Sequence, residues 1–285
     1  MQLRAILVLL AAFLPAALQT PRERPRITGI DHVTFRVSSA EAAGRFYGDL
    51  LGLEPASRGG SNHIVYAVGH RQTIRLEPGL PPDEDERLHH LAFATPDLEA
   101  LQQHLAAAGF AFVASGACGR PALRVTDPDG HTIEFVSADW PPRREAGTAG
   151  RALSSRVLHA GLIVRDEARA HRFYRDVLGF SEIWRGGRRE GTTDWVNMRV
   201  PDGTDYLEYM LEAAAPDRRQ RGVLHHVCLQ VPDVQAAWEE VIARTPPDVR
   251  PRPGPPNVGR NGRWQLNLYD ADGTRTELME PFTVR

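Results

Sequence analysis

The sequence predicts an α+β protein made of four βαβββ units in two tandem domains. Three observations carry this: an internal repeat with four landmarks in one order, strand-like alternation after each landmark histidine, and helical spacing between the strand runs. In the first copy His32 precedes Val33, Thr34, Phe35, Arg36 and Val37, followed by Phe46-Tyr47 and Leu51-Gly52-Leu53. In the second copy His159 holds the same place, followed by Phe173-Tyr174 and Leu178-Gly179-Phe180. Leu88-His89-His90 is echoed by Leu224-His225-His226, and Asp127-Pro128-Asp129-Gly130 by Asp270-Ala271-Asp272-Gly273.

The elements follow in order. Residues 1–20 have one charge, Arg4, then an apolar run and small residues, the layout of a secretory signal peptide; the run is shorter than the roughly 20 residues of a membrane span. An exported, periplasmic or secreted protein is expected, without membrane attachment after cleavage. After His32, alternation puts Val33, Phe35 and Val37 on one strand face and His32, Thr34 and Arg36 on the other. A helix is expected over 39–51, where Ala42, Phe46 and Leu50 recur at helical spacing and Gly52 stops it. Further helices are expected over 97–108, 166–178 and 233–244, opened by Asp97, Asp166 and Asp233 as N-caps. Alternating runs at 63–68, 72–77, 195–200 and 206–211 read as strands, and each Asp-x-Asp-Gly as a hairpin turn. The Pro- and Gly-rich stretch 139–155 reads as a linker between domains at 27–138 and 156–283.

Composition narrows the chemistry. All 34 basic residues of the 285-residue chain are arginines, which excludes Schiff-base catalysis, pyridoxal phosphate anchoring and the lysine-containing phosphate loop. With 36 acidic residues the net charge is −2, which gives no basic footprint for nucleic acid. The two cysteines, Cys118 and Cys228, lack the spacing of a thiolate zinc site or a disulfide framework. A small-molecule substrate is the expected partner, for a monomer or homodimer.

From residue 28 to 282 the chain resembles the vicinal oxygen chelate superfamily, which includes glyoxalase I, extradiol ring-cleavage dioxygenases, methylmalonyl-CoA epimerase and the bleomycin and fosfomycin resistance proteins. The resemblance rests on the histidine strand followed by Phe-Tyr and Leu-Gly, matched fully in the first copy and departing in the second only at Ala160. It implies that paired units curl into cup-shaped mixed sheets with helices on the outer face. It also implies metal ligands from the first and last strands of each unit. Carried over by position, these are His159, Glu208, His226 and Glu277 in the second domain.

Alternation agrees, because Leu207 and Tyr209 flank Glu208 while Thr276 and Leu278 flank Glu277, which turns both carboxylates to the concave side. An unpaired charge would be costly there, and a divalent ion (Fe, Mn, Zn, Ni or Co) resolves the cost. In the first domain His32, His90 and Glu134 match, as a possible second site. Arg75 stands at the fourth position, with Glu77 as a substitute if the register shifts, and the domain is otherwise a metal-free partner with Arg75 paired to Glu134 or to an anionic ligand. Pairing within each domain is favoured, but pairing of the second unit with the third would assemble His90, Glu134, His159 and Glu208 instead.

Among weaker features, His89 and His225 are expected on the opposite face from the landmark histidines. Tyr206, Met210 and Cys228 are pocket-wall candidates. The loop 245–263, with Arg250, Arg252, Arg260 and Arg263, is expected to form a lid able to hold an anionic group. The leading functional expectation is a metal enzyme chelating two adjacent oxygens of a small organic substrate, with glyoxalase-like lyase or isomerase chemistry in which Glu208 or Glu277 moves a proton. The alternatives are an extradiol-type dioxygenase at the three-ligand site and a non-catalytic, resistance-type binding protein.

Overall fold

The computed structural model describes residues 24–56, 63–116, 120–138, 150–211, 215–247 and 252–284. The expected export segment, most of the linker, Cys118 and Arg250 lie outside these. The first half contains β1 (Gly29–Val37), α1 (Ala40–Ala43, continuing as a π-helix over Gly44–Leu50), β2 (Pro55–Ala56), β3 (Ile64–Val68), β4 (Gln72–Pro78), β5 (Leu88–Thr95), α2 (Leu98–Ala107), β6 (Phe112–Ser115), β7 (Ala122–Thr126) and β8 (Thr132–Ser137). The second half repeats this as β9 (Val157–Val164), α3 (Glu167–His171, continuing as a π-helix over Arg172–Val177), β10 (Ser181–Gly186), β11 (Trp195–Arg199) and β12 (Tyr206–Leu211). It ends with α4 (Arg218–Leu224), β13 (His226–Gln230), α5 (Val234–Arg244), β14 (Asn257–Val258), β15 (Arg263–Tyr269) and β16 (Arg275–Thr283).

Each half forms one mixed sheet. The strand orders are β2-β3-β4-β1-β5-β8-β7-β6 and β10-β11-β12-β9-β13-β16-β15-β14, the same pattern twice. Units therefore pair within each half, and the alternative linking the second unit to the third is excluded. In each sheet the two landmark strands lie side by side and antiparallel, each bordered on its outer side by its own unit's last strand running parallel. That arrangement brings both histidines and both last-strand positions to the middle of one face.

The other face is apolar and carries the helices. Asp97, Asp166 and Asp233 cap their helices by accepting from the backbone N–H three residues on. The helices expected over 39–51 and 166–178 begin as α and widen to π, which differs from the sequence reading. Each widened turn holds the adjacent pair Phe46-Tyr47 or Phe173-Tyr174, and all four rings are buried. Helix α4 was not expected: RRQRGVL has no apolar period, and only its capping box, Asp217 with Gln220, announces it. One apolar cluster runs through both halves.

Candidate metal centre

In the second sheet the register puts Glu208 beside Gly161 on β9, and Gly161 opposite His226 on β13. The structure brings together the four residues expected from sequence. His159 Nε2 lies 3.0 Å from His226 Nε2, 3.4 Å from Glu277 Oε2 and 3.7 Å from Glu208 Oε2. His226 Nε2 is 3.3 Å from Glu208 and 3.8 Å from Glu277. His226 Nδ1 donates to the Leu224 carbonyl at 3.0 Å, while the Arg275 guanidinium lies 2.9 Å from Nε2, a contact that a bound cation would displace. Burial, then the nearby Arg275 guanidinium, holds the His226 pKa well below its usual value, so the ring is neutral as a ligand must be. Burial pushes the Glu277 pKa upward, but the His159 contact and the Arg275 charge outweigh it and the carboxylate is lowered. His159 stacks on Tyr206 with ring centroids 4.5 Å apart, which fixes its plane.

The first sheet repeats three of these positions closely. His32 Nε2 is 2.8 Å from His90 Nε2 and 3.4 Å from Glu134 Oε2, and His90 is 3.7 Å from Glu134. The fourth position belongs to Arg75, which aligns with Thr34 as Glu208 aligns with Gly161. No register shift substitutes Glu77, which instead pairs with His89 at 3.1 Å. Arg75 approaches Asp31 at 4.0 Å, and the arginine on Glu134 is Arg124 at 2.9 Å, so the expected Arg75–Glu134 pair is not formed. Asp31 accepts from His32 Nδ1 at 2.7 Å and from both ends of Arg120. The Thr34 hydroxyl sits 3.2 Å from His90 Nε2. Burial and the neighbouring His32 push the His90 pKa down to about 2.

A model of the Glyoxalase/Bleomycin resistance protein/Dioxygenase superfamily matches residues 29–135 and 156–278. The chain belongs to that superfamily. Among solved structures, a variant of homoprotocatechuate 2,3-dioxygenase from Brevibacterium fuscum is similar at a TM-score of 0.71 and 20% identity, over 90% of this chain and 72% of that one. The 2,3-dioxygenase LapB from Pseudomonas sp. KL28 is similar at 0.68 and 15%, over 90% of this chain and 93% of its own. The Brevibacterium enzyme in complex with 3,4-dihydroxyphenylacetate gives 0.69 and 20%, over 90% and 81%. At these identities the likeness is one of fold.

Within this superfamily member, donor spacing tests whether a cation suits the second cup. An octahedral ion with bonds of about 2.1 Å holds neighbouring donors about 3.0 Å apart, and a tetrahedral one about 3.3 Å. The measured 3.0 to 3.8 Å bracket both, so two imidazoles and two carboxylates fit a first-row divalent ion after small adjustments. In a third cluster of the same residue types, Glu167, His171 and Glu182, both carboxylates already pair with Arg185, at 2.9 and 2.6 Å. His89 does not turn away from the concave face; its ring meets His90 at 4.9 Å. His225 does turn away, buried 5.0 Å from the His131 ring. Tyr206, Met210 and Cys228 are buried, the thiol kept protonated by its burial. In the 245–263 loop Arg252 and Arg260 donate to the carbonyls of Ile242 and Gly187, contacts that hold the loop rather than await an anion. Sequence reasoning missed Asp31, Arg124, Arg275, Asn197 and Asn267. Their only signal was position, on or opposite the strands that bear the donors.

Proposed function

We propose that the protein is a metal-dependent enzyme that chelates two adjacent oxygens of a small organic substrate in the second cup and moves a proton at the neighbouring carbon. The four-donor cluster of His159, Glu208, His226 and Glu277 carries this reading. A divalent cation held by these four supplies Lewis acidity to the substrate oxygens. The protein's own contribution is orientation and proton transfer. Tyr206 and the Leu224 carbonyl fix the two imidazoles, one by stacking and one by hydrogen bonding. The Glu208 side chain is 12% exposed and that of Glu277 5%, so Glu208 opens further into the cup and is assigned the proton transfer. Glu277 then remains as a fixed donor. This is lyase or isomerase chemistry of the glyoxalase type.

Metal analysis of the purified protein tests it: about one ion per chain is expected in wild type and in His32→Ala, and none in His159→Ala. Wild-type protein without metal after loading would sink the proposal. Glu208→Gln should slow turnover of a hemithioacetal or an epimerisable acyl substrate by about 10²- to 10⁴-fold while keeping substrate affinity, the size expected for loss of a general base. Tight binding with no turnover would point to a binding protein instead.

A second reading has one observation in its favour. His32, His90 and Glu134 form the two-histidine, one-carboxylate set of non-haem iron oxygenases. Ring cleavage of a catechol under Fe(II), lost in His90→Ala, would support it; the additional carboxylate donor, where the first cup has Arg75, makes the second cup the better candidate.

A further inference from the structure

The second cup carries two amides, one buried and one half-buried, that the mechanism above does not use. Asn197 on β11 lies directly across from Glu208, and Asn267 on β15 directly across from Glu277. Directly opposed residues of antiparallel strands share a sheet face, with Cβ atoms about 5 Å apart. The flanking residues agree: Val196, Met198, Leu266 and Leu268 are buried in the apolar core on the other side. Each carboxylate donor therefore has an asparagine beside it on the concave wall.

Both Oδ1 atoms are buried and accept no hydrogen bond among the described residues. Asn197 is only 4% exposed. An orphaned buried carbonyl is destabilising, so two at equivalent places call for an explanation. The adjacent glutamates are themselves acceptors when ionised and leave these oxygens unsatisfied. The fold does not require them, because the first sheet has Val65 and Arg124 at the same two positions.

We propose that Asn197 and Asn267 are specificity residues, a pair of acceptors selecting substrates that bring hydroxyl protons beside the cation. The substrate class is then an α-hydroxy acid, α-hydroxyketone or vicinal diol rather than a ligand offering only bare carbonyl or carboxylate oxygens. This deepens the proposed function and rests on a cation in the second cup. The test uses full-length Co(II)-loaded protein and two small chelators, glycolate, which retains a hydroxyl proton, and oxalate, which has none. Binding is read from the visible absorption of the cobalt. Asn197→Leu and Asn267→Leu should each weaken glycolate by about 5- to 10-fold and oxalate by less than about 2-fold, the loss of one hydrogen bond. Retained oxalate binding shows that the variants fold. Asn197→Asp keeps the acceptor and adds charge, so it should spare glycolate and weaken oxalate. Equal changes for both probes, or none for either, would overturn the specificity role while leaving the cation reading intact. Failure of wild type to take up cobalt would overturn both.

Discussion

Gly161 shows how much one side chain decides between the two cups. A Cβ built there would overlap His226 Cε1 and lie 2.9 Å from the Leu224 carbonyl oxygen, so the imidazole occupies the space a side chain would need. The first sheet has Thr34 at this place, with its hydroxyl 3.2 Å from His90 Nε2. Arg75 and Arg124 complete the contrast, one replacing a carboxylate donor and the other engaging the remaining one. Gly161→Ala should therefore tilt His226 and lower cation affinity by about 10- to 100-fold, the range for disturbed ligand support. Competition of the variant with a metallochromic chelator measures this, and an unchanged affinity would show that the ring relocates freely. Thr34→Gly in the first cup is the reciprocal change and should leave the second cup's affinity untouched.

At the scale of elements, the two Asp-x-Asp-Gly turns have diverged into opposite pH responses. Asp127 accepts from His131 Nδ1 and from the Tyr174 hydroxyl, each at 2.8 Å; burial pushes its pKa up, but these contacts win and it is lowered. Asp270 has Thr274 where the other turn has His131, and with the Tyr47 hydroxyl at 3.2 Å its burial prevails, raising the pKa to about 6. Both states hold the Asp270 proton below its unfolded value of 3.8. Between there and about 6 the folded state keeps a proton the unfolded chain has lost, so stability falls as pH rises through this window and stays reduced above it. Asp127 acts the other way, its contribution lost as pH falls through its lowered value. Asp270→Asn should gain relative to wild type as pH rises from about 4 to about 7, by up to about 3 kcal/mol for a shift of this size. Urea unfolding at the two pH values measures it, and parallel curves would refute the account.

These turns were legible as turns because Gly130 and Gly273 adopt positive φ in both. Their opposite titration was not, because it turns on the balance between each aspartate's burial and the His131 contact, which only the folded structure supplies. The same distinction runs through the site. Strand alternation was enough to turn Glu208 and Glu277 to one face, whereas Asp31 and Arg124 act through side-chain reach that no period encodes. Arg75 was legible from register, while its pairing with Asp31 was not. Helix α4 escaped because its stability rests on one capping box instead of an apolar stripe.

For the whole molecule, the two halves share one apolar core. Phe93 meets Phe180 at 5.3 Å and Phe110 meets Phe173 at 4.9 Å, joining rings from the two halves. His104 contacts the Val177 carbonyl at 2.8 Å and Arg244 donates to that of Leu50 at 3.1 Å, tying helices across the seam. Tyr174 and Tyr47 cross in opposite directions to Asp127 and Asp270. Repetition in the sequence suggested two domains with cores of their own, yet burial of a Phe contributes about 1.5–3 kcal/mol and rings of each half pack against the other. A polypeptide of residues 156–283 alone would expose Phe173, Tyr174 and Phe180 together, a patch that soluble monomers avoid. It should keep strand content by far-UV circular dichroism, bind a hydrophobic dye and lose its cooperative thermal transition. Co-expression with residues 27–138 should restore that transition and, because the four donors all lie in the second sheet, cation binding with it. A sharp transition of the isolated half at the full-length temperature would refute the shared core, and would mean that the donor cluster needs only the strands that carry it.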